Sequence, residues 1–185
     1  MPKKRNITEL EGCVLGLIGL KGPCTPYVVR KEFQQSPTPF WSGSAGAIYP
    51  LIERLTRQKL IDESSSTDDA RGSKLYTLTA EGEKVLKQWL HQPAAPIVIG
   101  TPPDPLRNRI EFLAFLTPRQ RKSLLAQVKA GLEEHLKDVI RYSQECDQSN
   151  YFDYLSLRGA VLAARARLDW IVEITEILEK QKWSA

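Results

Sequence analysis

Cysteine is scarce and scattered in this chain. Cys13, Cys24 and Cys146 form no C-x-x-C pair, so neither a structural zinc site nor a disulfide framework is indicated. Cys13 falls in an apolar helical pattern and reads as a core filler. Histidine is scarcer still, with His91 and His135 alone. No G-x-S-x-G, Walker A, G-x-G-x-x-G or H-E-x-x-H pattern occurs. Acidic pairs such as Glu133-Glu134 lie on polar helix faces, where solvated surface is their expected role. Without a convergent catalytic set, no enzyme activity, cofactor or metal is expected. Long hydrophobic runs are also missing, which excludes a membrane-spanning helix. The opening "MPKKRNITEL" has neither the apolar stretch nor the cleavage site of a secretion signal, so a cytoplasmic location is expected.

What is present is an ordinary apolar content with an uneven positive charge. Of the 185 residues, 42% are hydrophobic and 26% charged, with a formal net charge of +4. Residues 1–92 hold 13 Lys and Arg against 10 Asp and Glu, whereas residues 93–185 hold 13 against 12. A basic bias on the front half is compatible with nucleic acid but does not by itself require it.

Helical periodicity opens at Thr8–Leu20, with Leu10, Val14, Leu17 and Ile18 on one side and Thr8 as N-cap. Thr25-Pro26 starts a second helix, running to about Gln35, with proline at a position where its missing N–H costs nothing. The third centres on "WSGSAGAIYPLIERL". Ile48, Leu51, Ile52 and Leu55 stand at i, i+3, i+4 and i+7, a core stripe. Gly43, Gly46, Pro50, Glu53 and Arg57 project to the opposite side. Either this helix begins near Ser42, with Pro50 bending it outward, or it begins at Pro50. Two short strands follow, around Leu60–Ser64 and at Lys74–Thr79, separated by a polar turn. Thr79 then caps a fourth helix, Ala80 to about His91. Two isolated strands are not stable alone. Beside three helices they form a wing, and the order is that of a winged helix-turn-helix with the third helix as DNA reader.

A connector with five prolines, Gln92–Pro105, separates this domain from a second one. Asp104–Leu116 is a short helix candidate. Two long helices follow, one from Thr117-Pro118 to about Gln148 and one from about Asn150 to Lys182. Leu125, Val128, Leu132, Leu136 and Val139 form a near-heptad seam on the first. Leu157, Val161, Ala164, Leu168, Ile171, Ile174 and Leu178 do so on the second. Two helices cannot cover all this apolar surface together with Leu162, Trp170, Val172 and Ile177, so a second copy related by two-fold symmetry is expected. The expected fold class is mainly α with a β-wing. A winged helix-turn-helix domain spans 1–92, a connector 93–105, and a helical dimerisation domain 106–185. Leu157, Val161, Leu168, Ile171, Ile174 and Leu178 are the expected dimer contacts.

The candidate DNA contacts follow from the same placement. Ser42, Ser44 and Tyr49 stand at the slim front of the third helix and Arg54 on its flank. Arg71, Ser73 and Lys74 lie at the wing tip and return strand. Tyr27, Arg30 and Lys31 lie on the second helix, and Lys3, Lys4 and Arg5 form a basic arm or a plain tail.

The stretches "LEGCVLGLIGLKGPCTPYVV", "WSGSAGAIYPLIERLTRQKLI" and "SKLYTLTAEGEKVLKQWL" together resemble the PadR family of winged-helix transcriptional regulators. The I-Y-P within the third helix and the Y-x-L-T-x-x-G after the wing carry most of that resemblance. It implies a homodimeric regulator, expected to be a repressor, on a pseudo-palindromic operator, often released by a small aromatic effector of unknown identity here. Two departures stand out. Thr25-Pro26-Tyr27 replaces the family's frequent His-Gly-Tyr, and Ala70-Arg71-Gly72-Ser73-Lys74 replaces a Gly-Arg-x-Arg/Lys wing. Trp170 and Tyr154, with Tyr151 and Phe152, are aromatics that can line an effector pocket between subunits or pack a dimer core. A winged-helix adaptor that binds protein instead of DNA is the alternative function, because the positive charge is modest.

Overall fold

The computed structural model describes residues 7–36, 44–65, 73–91, 96–145 and 150–180, with backbone only at 44–45 and 96–97. The chain divides into two compact units, Met1–Thr101 and Pro102–Ala185. No described helix is long and apolar enough to cross a membrane.

In the first unit, α1 (Glu9–Lys21) starts at a capping box. Thr8 Oγ1 accepts from the Glu11 N–H, and the Glu11 carboxylate accepts from the Thr8 N–H. Thr25 caps α2 (Pro26–Gln35), which has Pro26 in its first turn. A 3-10 turn, Ser44–Ala47, leads into α3 (Ile48–Arg57). Regular α-helix thus begins at Ile48, two residues before Pro50, and the winding ahead of it is 3-10 from Ser44; Ser42 lies outside the described residues. A proline at position 50 removes the α-type bond to Gly46 and crowds its carbonyl. Regular α-winding stops short of Gly46, and tighter 3-10 geometry takes its place. Pro50 falls in the first turn of α3, where backbone N–H groups lack α-helical partners in any case.

The stripe on α3 is the middle of the core. Ile48, Leu51, Ile52 and Leu55 are buried against Val14, Leu15 and Ile18 of α1 and Val29 and Phe33 of α2. Each such side chain contributes about 1.5–3 kcal/mol by leaving water. β1 (Ile61–Ser65) pairs antiparallel with β2 (Lys74–Leu78), Ile61 opposite Leu78 and Glu63 opposite Tyr76. Cys24, in the loop between α1 and α2, adds a rung on the other side of β2 through both backbone bonds to Tyr76. Cys13 is half-buried against this core, and burial pushes its thiol up to about 11, in keeping with a packing role.

Thr79 caps α4 (Ala80–Leu90) by accepting from the Gly82 N–H, and its hydroxyl lies within hydrogen-bond reach of the Lys59 and Leu60 carbonyls. α4 lies against α1 at close range. A Cβ on Gly12 would stand 2.5 Å from the Trp89 ring, and Trp89 Nε1 donates to Glu9 at 3.3 Å. The proline-rich connector contains one helical turn, α5 (Pro96–Ile99).

In the second unit, Asp104 caps α6 (Pro105–Glu111), and a 3-10 turn covers Leu113–Phe115. The Arg121 guanidinium donates to the carbonyls of Leu113 and Ala114 and fixes that turn. Thr117 and Gln120 form a capping box on α7 (Pro118–Glu145). Asn150 accepts from the first-turn N–H of Phe152 in α8 (Tyr151–Lys180).

The seam on α8 packs largely within its own unit, with Val161 and Ile171 buried and Leu157, Leu168, Ile174 and Leu178 half-buried. Ile171 is buried with Leu125 and Leu132 of α7, and Leu168, Ile174 and Leu178 pack on that cluster together with Leu106 and Ile110 of α6. Val161 is buried on the same face and Leu157 half-buried. These side chains close the unit's own core. The reason is geometric: a heptad stripe shows that a helix packs on another, not whose helix it is.

Candidate nucleic-acid interface

The exposed face of the first unit is built around α3. Opposite the buried stripe lie Gly46, Ala47, Tyr49, Pro50, Glu53, Arg54 and Arg57, all exposed. A Cβ at Gly46 would meet nothing within 4 Å. The front of the face is thus slim and open, and Ala47 provides no side-chain cap. Beside it, a cleft of about 830 Å³ runs between α2, α3 and the hairpin, lined by Tyr27, Tyr49, Glu53, Arg57, Ser73 and Lys74 among others.

Arg30 organises one side of this face. Its guanidinium carbon sits 5.8 Å from the Tyr27 ring centroid and 6.0 Å from that of Tyr49. Both rings are open to solvent, 55% and 44% exposed. Arg30 Nε is buried and, among the described residues, makes no hydrogen bond. The cation is therefore held by two aromatic faces, which brings Tyr27, Arg30 and Tyr49 together from two helices. Lys31 is exposed on α2 and, among the described residues, has no ion pair.

Other expected contacts are differently placed. Arg54 does lie on the flank of α3, but its guanidinium donates to Glu11 Oε1 at 3.0 Å. Glu11 is only 9% exposed. Burial by itself would raise its carboxyl; the Thr8 hydrogen bonds and Arg54 outweigh that and hold it below the ordinary range. Arg54 is thus a tie between α1 and α3, and its side chain is still 48% exposed on the flank of α3. Lys74 Nζ lies 2.9 Å from Glu63 on the neighbouring strand, and the Tyr76 hydroxyl donates to the same carboxylate at 3.0 Å. The Lys74 hydrogen bond is the main influence that keeps Glu63 ionised below its usual range. Burial, then Glu63, push the Tyr76 hydroxyl up to about 12, so it remains a donor. Lys74 accordingly brings little uncompensated charge to the wing. Ser42, Arg71, Lys3, Lys4 and Arg5 lie outside the described residues, as does the Ser44 side chain.

Arg57 and Glu53 are not among the expected contacts, although the helical projection puts both on the outward side. Arg57 is the exposed arginine of α3 with no ion pair among the described residues. Among the described residues no group of His, Cys, Asp and Glu is placed to hold a metal ion. In the second unit, Trp170 packs on the α7–α8 cluster while Tyr154 is exposed. Sixteen residues of helix separate them by about 24 Å, so they do not line one pocket within a single chain.

Three helices, a two-stranded wing and an open third helix define a winged helix-turn-helix protein. Residues 14–88 match the transcriptional regulator PadR-like family, and residues 104–179 match the virulence activator alpha C-terminal family. The first unit thus matches the PadR-like family of transcriptional regulators over residues 14–88, and the second unit matches a different family model. The negative transcriptional regulator PadR of Bacillus subtilis (strain 168) is 24% identical over 183 residues, covering 92% of this chain and 98% of that protein. The crystal structure of Bacillus subtilis PadR in complex with operator DNA has a TM-score of 0.79 at 23% identity, over 94% of this chain and 100% of that one. The same protein in complex with p-coumaric acid gives 0.73 at 23% identity, over 93% and 96%. At these identities the structural likeness establishes the fold.

Proposed function

We propose that this regulator is a sequence-specific DNA-binding repressor that acts as a homodimer on a pseudo-palindromic operator and is released by a small aromatic effector. The observation that carries DNA binding is the convergence of Tyr27, Arg30 and Tyr49 beside the open front of α3, with Arg57 further along the same helix. Tyrosine hydroxyls and a guanidinium are phosphate ligands, and a slim helix front admits close approach in the major groove. The operator complex of the Bacillus subtilis relative supports the same use of the fold. Its name as a negative regulator supports repression, and its complex with p-coumaric acid supports an aromatic effector.

A dimer is supported by the surface that α8 leaves uncovered. Leu155 and Leu162, 46% and 51% exposed, lie on the side of α8 opposite the α7 contact. Between them, a Cβ on Gly159 would meet nothing within 4 Å. Apolar side chains flanking a small residue let two identical helices approach across a two-fold axis.

Footprinting on the DNA upstream of the protein's own gene tests the reading. Protection of two symmetric half-sites is expected, with affinity falling steeply as salt rises. Binding no tighter than to random DNA at physiological salt overturns it. Retained capture of a protein partner under those conditions would establish the adaptor function instead.

A further inference from the structure

We infer that Glu53 is a specificity-determining residue that reads the amino edge of a cytosine in each operator half-site. The inference rests on the DNA-binding reading and concerns what that surface selects.

Glu53 is exposed on the outward side of α3, one turn beyond Tyr49 and Pro50. Among the described residues its carboxylate makes no hydrogen bond and no ion pair. The cations nearest to it in sequence do not neutralise it. Arg54 is committed to Glu11, and Arg57, one turn on, forms no ion pair with it. Across the cleft, Lys74 is taken by Glu63. The helix therefore carries a negative charge, unpaired among the described residues, on the face proposed to meet a polyanion. It lines the cleft with Tyr76, whose hydroxyl its charge pushes up less than burial and Glu63 do, and it gives the fold no hydrogen bond or ion pair among the described residues.

Against phosphates such a charge is repulsive. In the major groove only base amino groups reward it. A carboxylate is an acceptor alone. Cytosine N4 offers a donor, whereas adenine sets the N7 acceptor beside its amino group, which suits an amide better. Guanine O6 and N7 and thymine O4 are acceptors and repel a carboxylate. Glu53 thus rewards one base and penalises the others, which is how specificity is obtained against a background of non-specific attraction.

Selection from a randomised duplex pool by the wild type, Glu53→Ala and Glu53→Gln tests this. The wild type is expected to select cytosine at one position of each half-site. Glu53→Ala should lose that preference by roughly tenfold, keep the other positions, and bind non-specific DNA more tightly. Glu53→Gln should move the preference at that position toward adenine. If Glu53→Ala binds all sequences more tightly with an unchanged base profile, Glu53 is only a repulsive charge and the inference is overturned. If the wild type itself selects no sequence, the DNA-binding reading fails and this inference with it.

Discussion

The arginines of the first unit have the same charge and three different tasks. Arg54 holds α1 to α3 through Glu11. Arg57 projects outward without an ion pair among the described residues. Arg30 lies beneath two solvent-open tyrosines and, among the described residues, makes no fold-stabilising hydrogen bond through its buried Nε. The third arrangement makes a specific prediction. Arg30→Ala should weaken operator binding about equally for all sequences and reduce the salt slope by about one. Arg30→Lys restores the charge but not the planar stacking, so it should recover the slope while leaving part of the affinity loss. Titrations at several salt concentrations separate the two effects, and an unchanged slope in Arg30→Ala would remove Arg30 from the interface. Placement on the outward face of α3 was legible from periodicity alone, which is why Tyr49, Arg54 and Arg57 are where projection puts them. The pairing of Arg54 was not legible. Its partner is 43 residues away, and only the packing of α1 on α3 brings the two together.

At the scale of single elements, the starts of helices were the most readable feature. Thr8, Thr25, Thr79 and Thr117 each cap the helix expected of them, because capping needs only residues three positions apart. Helix ends were less readable. α3 ends in a Schellman turn, with the Leu60 N–H on the Leu55 carbonyl and the Lys59 N–H on that of Thr56. Lys59 stands at φ 58, the left-handed position where glycine is the usual residue. Lys59→Gly should therefore raise stability by about 0.5–1 kcal/mol, because the strain of a Cβ there exceeds glycine's extra chain entropy. Thermal unfolding of the two proteins measures it, and a lower melting temperature for the variant would show that the lysine stem packs usefully.

The start of α6 carries a second prediction. Arg167 of α8 grips Asp104 with two hydrogen bonds, 3.0 and 2.9 Å, while Asp104 accepts from the Leu106 N–H. Burial would raise this carboxyl, but the Leu106 N–H and Arg167 together hold it below its ordinary value. A depressed folded pKa gives stability that is complete above the unfolded value of about 3.9 and lost as pH falls through the folded one. Asp104→Asn keeps the cap and removes the charge. It should cost about 1–2 kcal/mol at neutral pH, discounted because Arg167 is half-exposed. That difference should close below pH 4. A gap between the two melting curves that does not shrink at all as pH is lowered below 4 would rule out the ion pair as its source.

At the scale of the whole molecule, the order of elements and the division into two units follow from features that repeat: cap, apolar stripe, proline-rich break. The association of chains does not. A heptad stripe on α8 and a paired one on α7 satisfy each other within one chain, and the residues left for a partner are those outside the stripe. The proposed dimer face therefore rests on exposure of the folded chain rather than on periodicity. Leu155 and Leu162 sit outside the stripe and Val161 inside it, so their substitutions should separate. Leu162→Glu places a charge, and by symmetry a second one, in the proposed interface while leaving the α7–α8 core intact. It should yield a folded monomer in sedimentation and lower the apparent operator affinity by orders of magnitude, since a monomer engages only one half-site. Val161→Ala instead opens a cavity in the unit's own core and should cost about 1–2 kcal/mol of stability without dissociating a dimer that does not contact it. If Leu162→Glu remains dimeric, the two-fold axis lies on another surface of the chain.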